Sequence, residues 1–181
     1  MHVFWEKGFD SSSLADLQEA TGLKKSSLYK AFKSKEGLFR RVVDRYNSNH
    51  LSFRSRALAQ STPRLIAQAL LEGIVDLHTG KKRPSGCLVT FSALACSAEA
   101  RLVAQELSES RNEFERRLRV RLGEIEYAGS FPAGMSAADA ASFLTTFIQG
   151  LAVRARGGAT RRQLRHLVAA VMQSWPAEEP M

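Results

Sequence analysis

Cysteine is scarce in this chain, with Cys87 and Cys96 alone among 181 residues. Two thiols make no disulfide framework, so the chain must be held by packing, as proteins of a reducing compartment are. Long apolar runs are missing too: Ser, Thr, Gln or Arg interrupts every window that approaches the ~18 to 20 apolar residues of a membrane-spanning helix. The start, Met1-His2-Val3-Phe4-Trp5-Glu6, lacks the basic segment and apolar run of a secretory signal. A cytoplasmic protein with no membrane partner is expected. The four histidines, His2, His50, His78 and His166, are scattered, no two stand at a metal-ligand spacing, and there is no Cys-x-x-Cys, so no metal and no cofactor is expected. His50 and His78 read as ordinary surface or boundary residues. The sequence also has no glycine-rich phosphate loop and no nucleophile elbow, which leaves an enzyme without a motif.

What is present is an ordinary globular balance, 44% hydrophobic and 24% charged, with an excess of positive charge. Lys and Arg number 26 against 18 Asp and Glu, a formal net charge of +8. An anionic partner follows, nucleic acid first and a membrane surface second. Apolar positions recur at three and four residues throughout, whereas strand-like alternation with β-branched enrichment is nearly absent, so the chain is predicted to be all-α. Short helices crowd the first 35 residues, broken by Gly8 with 10–13, by Gly22 and by Lys33-Ser34. A longer helix from Lys35 carries Leu38, Phe39, Val42, Val43 and Tyr46 on one side. Pro63 opens another, with Leu65, Ile66, Ala69, Leu70, Gly73, Ile74 and Leu77, stopping near Gly80. The basic stretch Lys81-Lys82-Arg83-Pro84-Ser85-Gly86 reads as a loop, followed by an apolar helix over 87–96 and a charged, largely solvent-facing one over 98–126. Ser136 with Asp139 reads as a capping box opening the first of two final helices, which part at Gly157-Gly158.

Residues 13–32 have the layout of a helix-turn-helix. Ser13 is an N-cap with Asp16 three residues on, Leu14 and Leu17 are apolar, small Ala20 lets two helices cross closely, and Gly22 suits a left-handed turn. In the second helix, 24–32, Leu23, Leu28 and Phe32 supply a buried side. The other side carries Lys24, Lys25, Ser26, Ser27, Tyr29 and Lys30, the cations, hydroxyls and aromatic that phosphate and base-edge contact require. Between Lys24 and Arg45 there are eight Lys or Arg against Glu36 and Asp44, a local net of +6. Charge alone would equally suit a solvated face; charge joined to the turn pattern favours DNA.

These residues resemble the tetracycline-repressor (TetR) family of bacterial transcriptional regulators. Phe4-Trp5-Glu6-Lys7-Gly8-Phe9 is similar to the end of the family's first helix, and residues 14–23 to its second helix and turn. Residues 24–38, from Lys24 to Leu38, are similar to its recognition helix and the start of the fourth. The resemblance implies DNA contacts at Lys24, Lys25, Ser26, Ser27, Tyr29 and Lys30, a phosphate clamp at Lys35, and a phosphate met by Ser12 or Ser13 at the second helix's N-terminus. Ala31 departs from the family's usual aromatic or His. The family's first helix ordinarily begins about fifteen residues earlier. Its shortness here is expected to expose Leu14, Leu17 and Leu28, and a start further upstream would restore the cover.

The resemblance divides the chain into a DNA-binding domain, 1–46, and a helical regulatory and dimerisation domain, 47–181. Gly86-Cys87-Leu88-Val89 is similar to a signature in one branch of the family, and residues 150–164 to that branch's last helix corner. In the family the last two helices pair with their two-fold mates, which implies a dimer interface of Phe143, Leu144, Phe147, Ile148, Leu151, Leu164, Leu167, Val168 and Val171. Leu70, Ile74, Cys87, Phe91, Leu94, Phe114 and Phe147 are candidates to line a pocket for an unknown small-molecule inducer. The implied function is a ligand-responsive homodimeric repressor that binds a palindromic operator in double-stranded DNA through helix 24–32. Two alternatives remain open: a regulator sensing electrophiles or oxidants through Cys87, whose thiol at a helix start beside Lys81, Lys82 and Arg83 would be acidified, and a helical ligand-binding protein that no longer binds DNA. Cys87 and Cys96, nine residues apart on one helix, would lie ~13 Å apart on opposite sides and could not pair.

Overall fold

The computed structural model describes residues 1–80, 83–94, 97, 100–127 and 129–177, with the side chains of Ala93 and Leu94 excepted. The described residues form helices without strands: α1 (His2–Lys7), α2 (Leu14–Thr21), α3 (Lys25–Phe32), α4 (Lys35–His50), α5 (Phe53–Leu58), α6 (Pro63–His78), α7 (Leu88–Leu94), α8 (Arg101–Glu124), α9 (Ala137–Arg156) and α10 (Arg161–Met172). The all-α expectation holds. No described helix is long and apolar enough to cross a membrane.

The helix boundaries follow local chemistry. Ser13 accepts from the Asp16 N–H while Asp16 accepts from the Ser13 N–H, the expected capping box, and Ser136 with Asp139 repeats it at α9. A third, Thr160 with Gln163, opens α10, and Thr62 caps α6 ahead of Pro63. C-terminal carbonyls are met from a distance. The Arg121 guanidinium donates to the Leu58 and Gln60 carbonyls beyond α5, at 2.9 and 3.1 Å, and Arg64 donates to the Met172 carbonyl at the end of α10, at 3.0 Å.

The chain gathers into two compact units, and neither is continuous in sequence. The first comprises residues 1–51 and 87–110, the second 52–86 and 111–181. A single boundary near residue 46 is what the sequence predicts; the structure instead groups 87–110 with the N-terminal helices. The reason is packing: α7 lies against α1 and α4, and Glu106 of α8 takes the Arg40 guanidinium of α4 in a two-pronged ion pair at 2.8 Å.

The first unit is built on aromatic rings. Phe4 and Phe9 meet Phe39 edge-on at 5.0 and 5.1 Å, and Trp5 meets Tyr46 at 4.8 Å. These rings are buried. The second unit packs Ile66, Leu70 and Ile74 of α6, Phe114, Leu118 and Leu122 of α8, Leu144, Ile148 and Leu151 of α9, and Leu164 and Val168 of α10 into one core. The stripe Phe114, Leu118, Leu122 corrects the expectation that this charged helix is largely solvent-facing; Val103 and Leu107 bury the same helix's earlier turns in the first unit. The predicted apolar helix over 87–96 is observed as Leu88–Leu94, and Cys96, Lys81 and Lys82 lie outside the described residues.

Candidate nucleic-acid interface

The turn between α2 and α3 rests on Gly22, whose φ of 68° is the left-handed conformation that suits glycine, and its N–H closes α2 by donating to the Gln18 carbonyl. α2 is fixed in turn by Lys7, whose ammonium reaches the Asp16 carboxylate at 2.7 Å, so the capping residue of α2 is also its tie to α1. That contact and the Ser13 hydrogen bonds hold the exposed Asp16 carboxyl at a pKa of about 2.

The recognition helix α3 anchors itself through Leu28, 4% exposed. At 100° per residue, Ser26 and Lys30 point most directly away from Leu28, with Lys25 and Tyr29 on one flank and Ser27 on the other. All five are exposed, as is Lys24. The Lys25 ammonium stands 5.8 Å from the Tyr29 ring centroid, so the two share one surface patch. No side chain caps the first turn of α3, whose N-cap is Lys24. Its first N–H groups are therefore flanked by cations, an arrangement that attracts a phosphate.

The corner from α3 into α4 is tight. Lys33 takes φ 69°, a region costly for a side chain bearing a Cβ, and ends α3, after which Ser34 caps α4 by accepting from the Gly37 N–H. A Cβ on Gly37 would fall well inside contact distance of the Phe32 carbonyl, so glycine is required there. Lys35 donates to the Asp10 carbonyl at 3.2 Å and sits 4.6 Å over the Phe9 ring. Asp10 also receives the Ser97 hydroxyl at 3.1 Å. Sequence reasoning treats Asp10 as loop punctuation and could not have found these partners, 25 and 87 residues away.

Several expectations are corrected. Ser12 is fully buried and donates to the Gly8 carbonyl at 2.6 Å, so it offers nothing to a phosphate; Ser13 is the exposed hydroxyl at the start of α2. Leu23 is 41% exposed and does not join Leu28 in the buried side, and Ala20 is exposed and marks no helix crossing. Leu17 and Leu28 are both only 4% exposed, so the short α1 leaves them covered. Apolar surface opens instead beside α4, where Phe32, Leu38 and Val42 line a groove of about 620 Å³ together with Arg41 and Arg45.

In the second half of the chain, Leu144, Ile148, Leu151, Leu164 and Val168, expected at a dimer interface, are at most 5% exposed within a single chain. They close its own core and have almost no surface to lend a partner. Phe143, Phe147, Leu167 and Val171 remain half-buried, and Val153 is 50% exposed beside them in sequence. Leu70 and Ile74, expected to line an inducer pocket, are packed solid in the second unit's core with Phe114 beside them. Cys87 and Phe91 fall in the first unit, and the side chain of Leu94 lies outside those described. Cys87 is buried, and Tyr46 donates its hydroxyl to the sulfur at 3.7 Å. His78, expected at a surface or boundary, is 2% exposed.

Residues 1–42 match the family model for bacterial regulatory proteins of the tetR family. The chain is 32% identical, over 97% of its length and 85% of the relative's, to the HTH-type transcriptional repressor ComR of Escherichia coli (strain K12). It belongs to the TetR family. A solved structure of a cysteine-substituted variant of the TetR-family regulator CifR, complexed with a 26-bp double-strand operator DNA, is 35% identical. It superposes with a TM-score of 0.89 over 97% of this chain and 92% of that one. A TetR regulator from Chloroflexus aurantiacus, at 19% identity and a TM-score of 0.79 over 95% and 87% of the two chains, shares the fold. The helix-turn-helix of α2 and α3 therefore stands in a TetR-family regulator, and the relatives named are transcriptional regulators, a family without enzymes.

Proposed function

We propose that this TetR-family chain is a ligand-responsive homodimeric repressor that binds a palindromic operator through α3. The observation that carries the reading is the exposed face of α3. It sets Ser26 and Lys30 opposite the buried anchor Leu28, flanked by Lys25, Ser27 and Tyr29, on a helix whose first turn has no side-chain cap. Hydroxyls and an amphipathic ring can meet base edges, while Lys24, Lys25 and Lys30 meet phosphates and make affinity fall with salt. The CifR complex with operator DNA supports the same use of the fold.

Two copies related by a two-fold axis would enter successive major grooves. The half-exposed Phe143, Phe147, Leu167 and Val171 of α9 and α10 supply the shared apolar face. Ser13, at the α2 N-terminus, meets a phosphate; Lys35, already directed at the Asp10 carbonyl, has two further N–H groups for a second. A small molecule bound in the regulatory unit favours a state with lower DNA affinity, and release follows from that difference alone.

The direct test is Tyr29→Ala, measured by fluorescence anisotropy on operator DNA. Tyr29 is 41% exposed and lies outside the core, so the variant melts like the wild type and binds operator at least about tenfold more weakly. Unchanged affinity removes Tyr29, and with it this face of α3, from DNA recognition.

A further inference from the structure

His78, the last residue of α6, is 2% exposed, and neither ring nitrogen meets a partner at hydrogen-bond geometry. The Gly86 backbone stands beside the ring and favours its protonated form, but burial and the Arg54 guanidinium act more strongly the other way. Arg54 itself lies with its guanidinium carbon 4.0 Å over the Phe114 ring. One turn before Phe114 on the same face of α8 stands Arg111, with one guanidinium nitrogen buried. Three elements of the second unit, α5, α6 and α8, thus bring nitrogen donors of one sign into its interior, against an apolar wall of Phe114, Leu70 and Ile74.

Resting on the ligand-responsive reading above, we propose that the regulatory unit recognises an amphipathic oxyanion, its head held between His78 and Arg54 with Arg111 adding positive charge, and its apolar body against Phe114. The physical reason is that this cluster is unfavourable as it stands. A guanidinium and an imidazole of like tendency oppose each other in a medium of low dielectric, and the buried His78 donor without an acceptor carries its full desolvation penalty. An oxyanion removes both penalties at once, because it accepts from His78 and offsets the positive charge of Arg54. A neutral molecule of the same shape can accept from His78 but does nothing to offset that charge. Arg54 stacked on Phe114 also fixes where polar head and apolar body meet. Nearby Glu115 is engaged elsewhere: its carboxylate takes the hydroxyls of Ser142 and Thr145 on α9, at 2.6 and 2.7 Å. The head is a carboxylate or a phosphate, two chemistries that this donor set serves alike.

The experiment is calorimetric titration of the full chain, without DNA, with octanoate, octyl phosphate and octanamide, repeated on Arg54→Met and His78→Gln. At least one of the two anions binds about tenfold or more tightly than the amide, and whichever anion is preferred identifies the head group. Arg54→Met, which keeps the stack on Phe114, abolishes the preference while its circular-dichroism melt stays cooperative. His78→Gln weakens the anion further if it folds; if it does not, Arg54→Met alone decides. The inference is overturned if neither anion binds at millimolar concentration, if octanamide binds as tightly, or if Arg54→Met keeps the preference. An anion that binds here without altering a DNA complex would overturn the ligand-responsive reading and leave the site standing. A neutral compound that releases DNA, where no anion binds, would do the reverse.

Discussion

At the scale of single residues, His78 has the clearest consequence outside the DNA-binding face. Burial, with Arg54 adding to it, lowers its pKa from 6.5 to about 4, so the folded chain holds it neutral where the unfolded chain would protonate it. Between pH 6.5 and 4 the unfolded state therefore binds more protons, and stability falls as pH falls through that window. The full effect is at most about 3 kcal/mol, since a tenfold change in proton affinity is worth about 1.4 kcal/mol. Thermal melts of the wild type should drop in midpoint as the solution is taken from neutral pH into that window, and a folded His78→Gln variant should show a flatter profile. Equal slopes in the two would mean that His78 is not the titrating group. Sequence alone does not reveal this residue, because one histidine at a helix end has no periodicity to mark its burial. Ser12 and Ser13 show the same limit: adjacent hydroxyls in one loop, one buried on the Gly8 carbonyl and one capping α2, separated only by backbone geometry.

At the scale of elements, periodicity locates nearly every long helix, and capping chemistry locates their starts. Ser13 with Asp16 and Ser136 with Asp139 are legible because a capping box is a local pattern with a local cause. Which side of an apolar stripe meets the chain's own core is not legible. On α9, Phe143 and Leu144 differ by about 100° of rotation, as do Phe147 and Ile148, yet Leu144 and Ile148 are buried in the chain while the two phenylalanines remain half open. The distinction predicts two different phenotypes. Leu144→Ala should cost about 2 to 5 kcal/mol by leaving a cavity, read as a lower denaturation midpoint. Phe147→Glu should leave the melt of the isolated chain nearly intact and shift the mass measured by light scattering from dimer to monomer. A Phe147→Glu protein that remains dimeric would move the interface away from this face. α5 goes unread for a plain reason: six residues give too short a window for a 3.6-residue period.

At the scale of the molecule, the family is legible from residues 4 to 38, where turn glycine, caps and basic face fall in a fixed order. The division into units is not. Residues 87–110 join the N-terminal helices through contacts such as Arg40 with Glu106, 66 residues apart, and no local pattern announces a partner at that distance. The net charge of +8 is a poor guide by itself, since a basic surface attracts any polyanion. What distinguishes a repressor from a basic helical protein is discrimination between DNA sequences. The decisive measurement is therefore binding of the full chain to its own promoter fragment and to random DNA of equal length, at about 50 and 200 mM salt. The account predicts that both affinities fall with salt while the promoter fragment stays ahead by roughly 10³ or more. Equal binding to the two fragments at both salt concentrations would contradict it, leaving α3 as an electrostatic surface without sequence recognition.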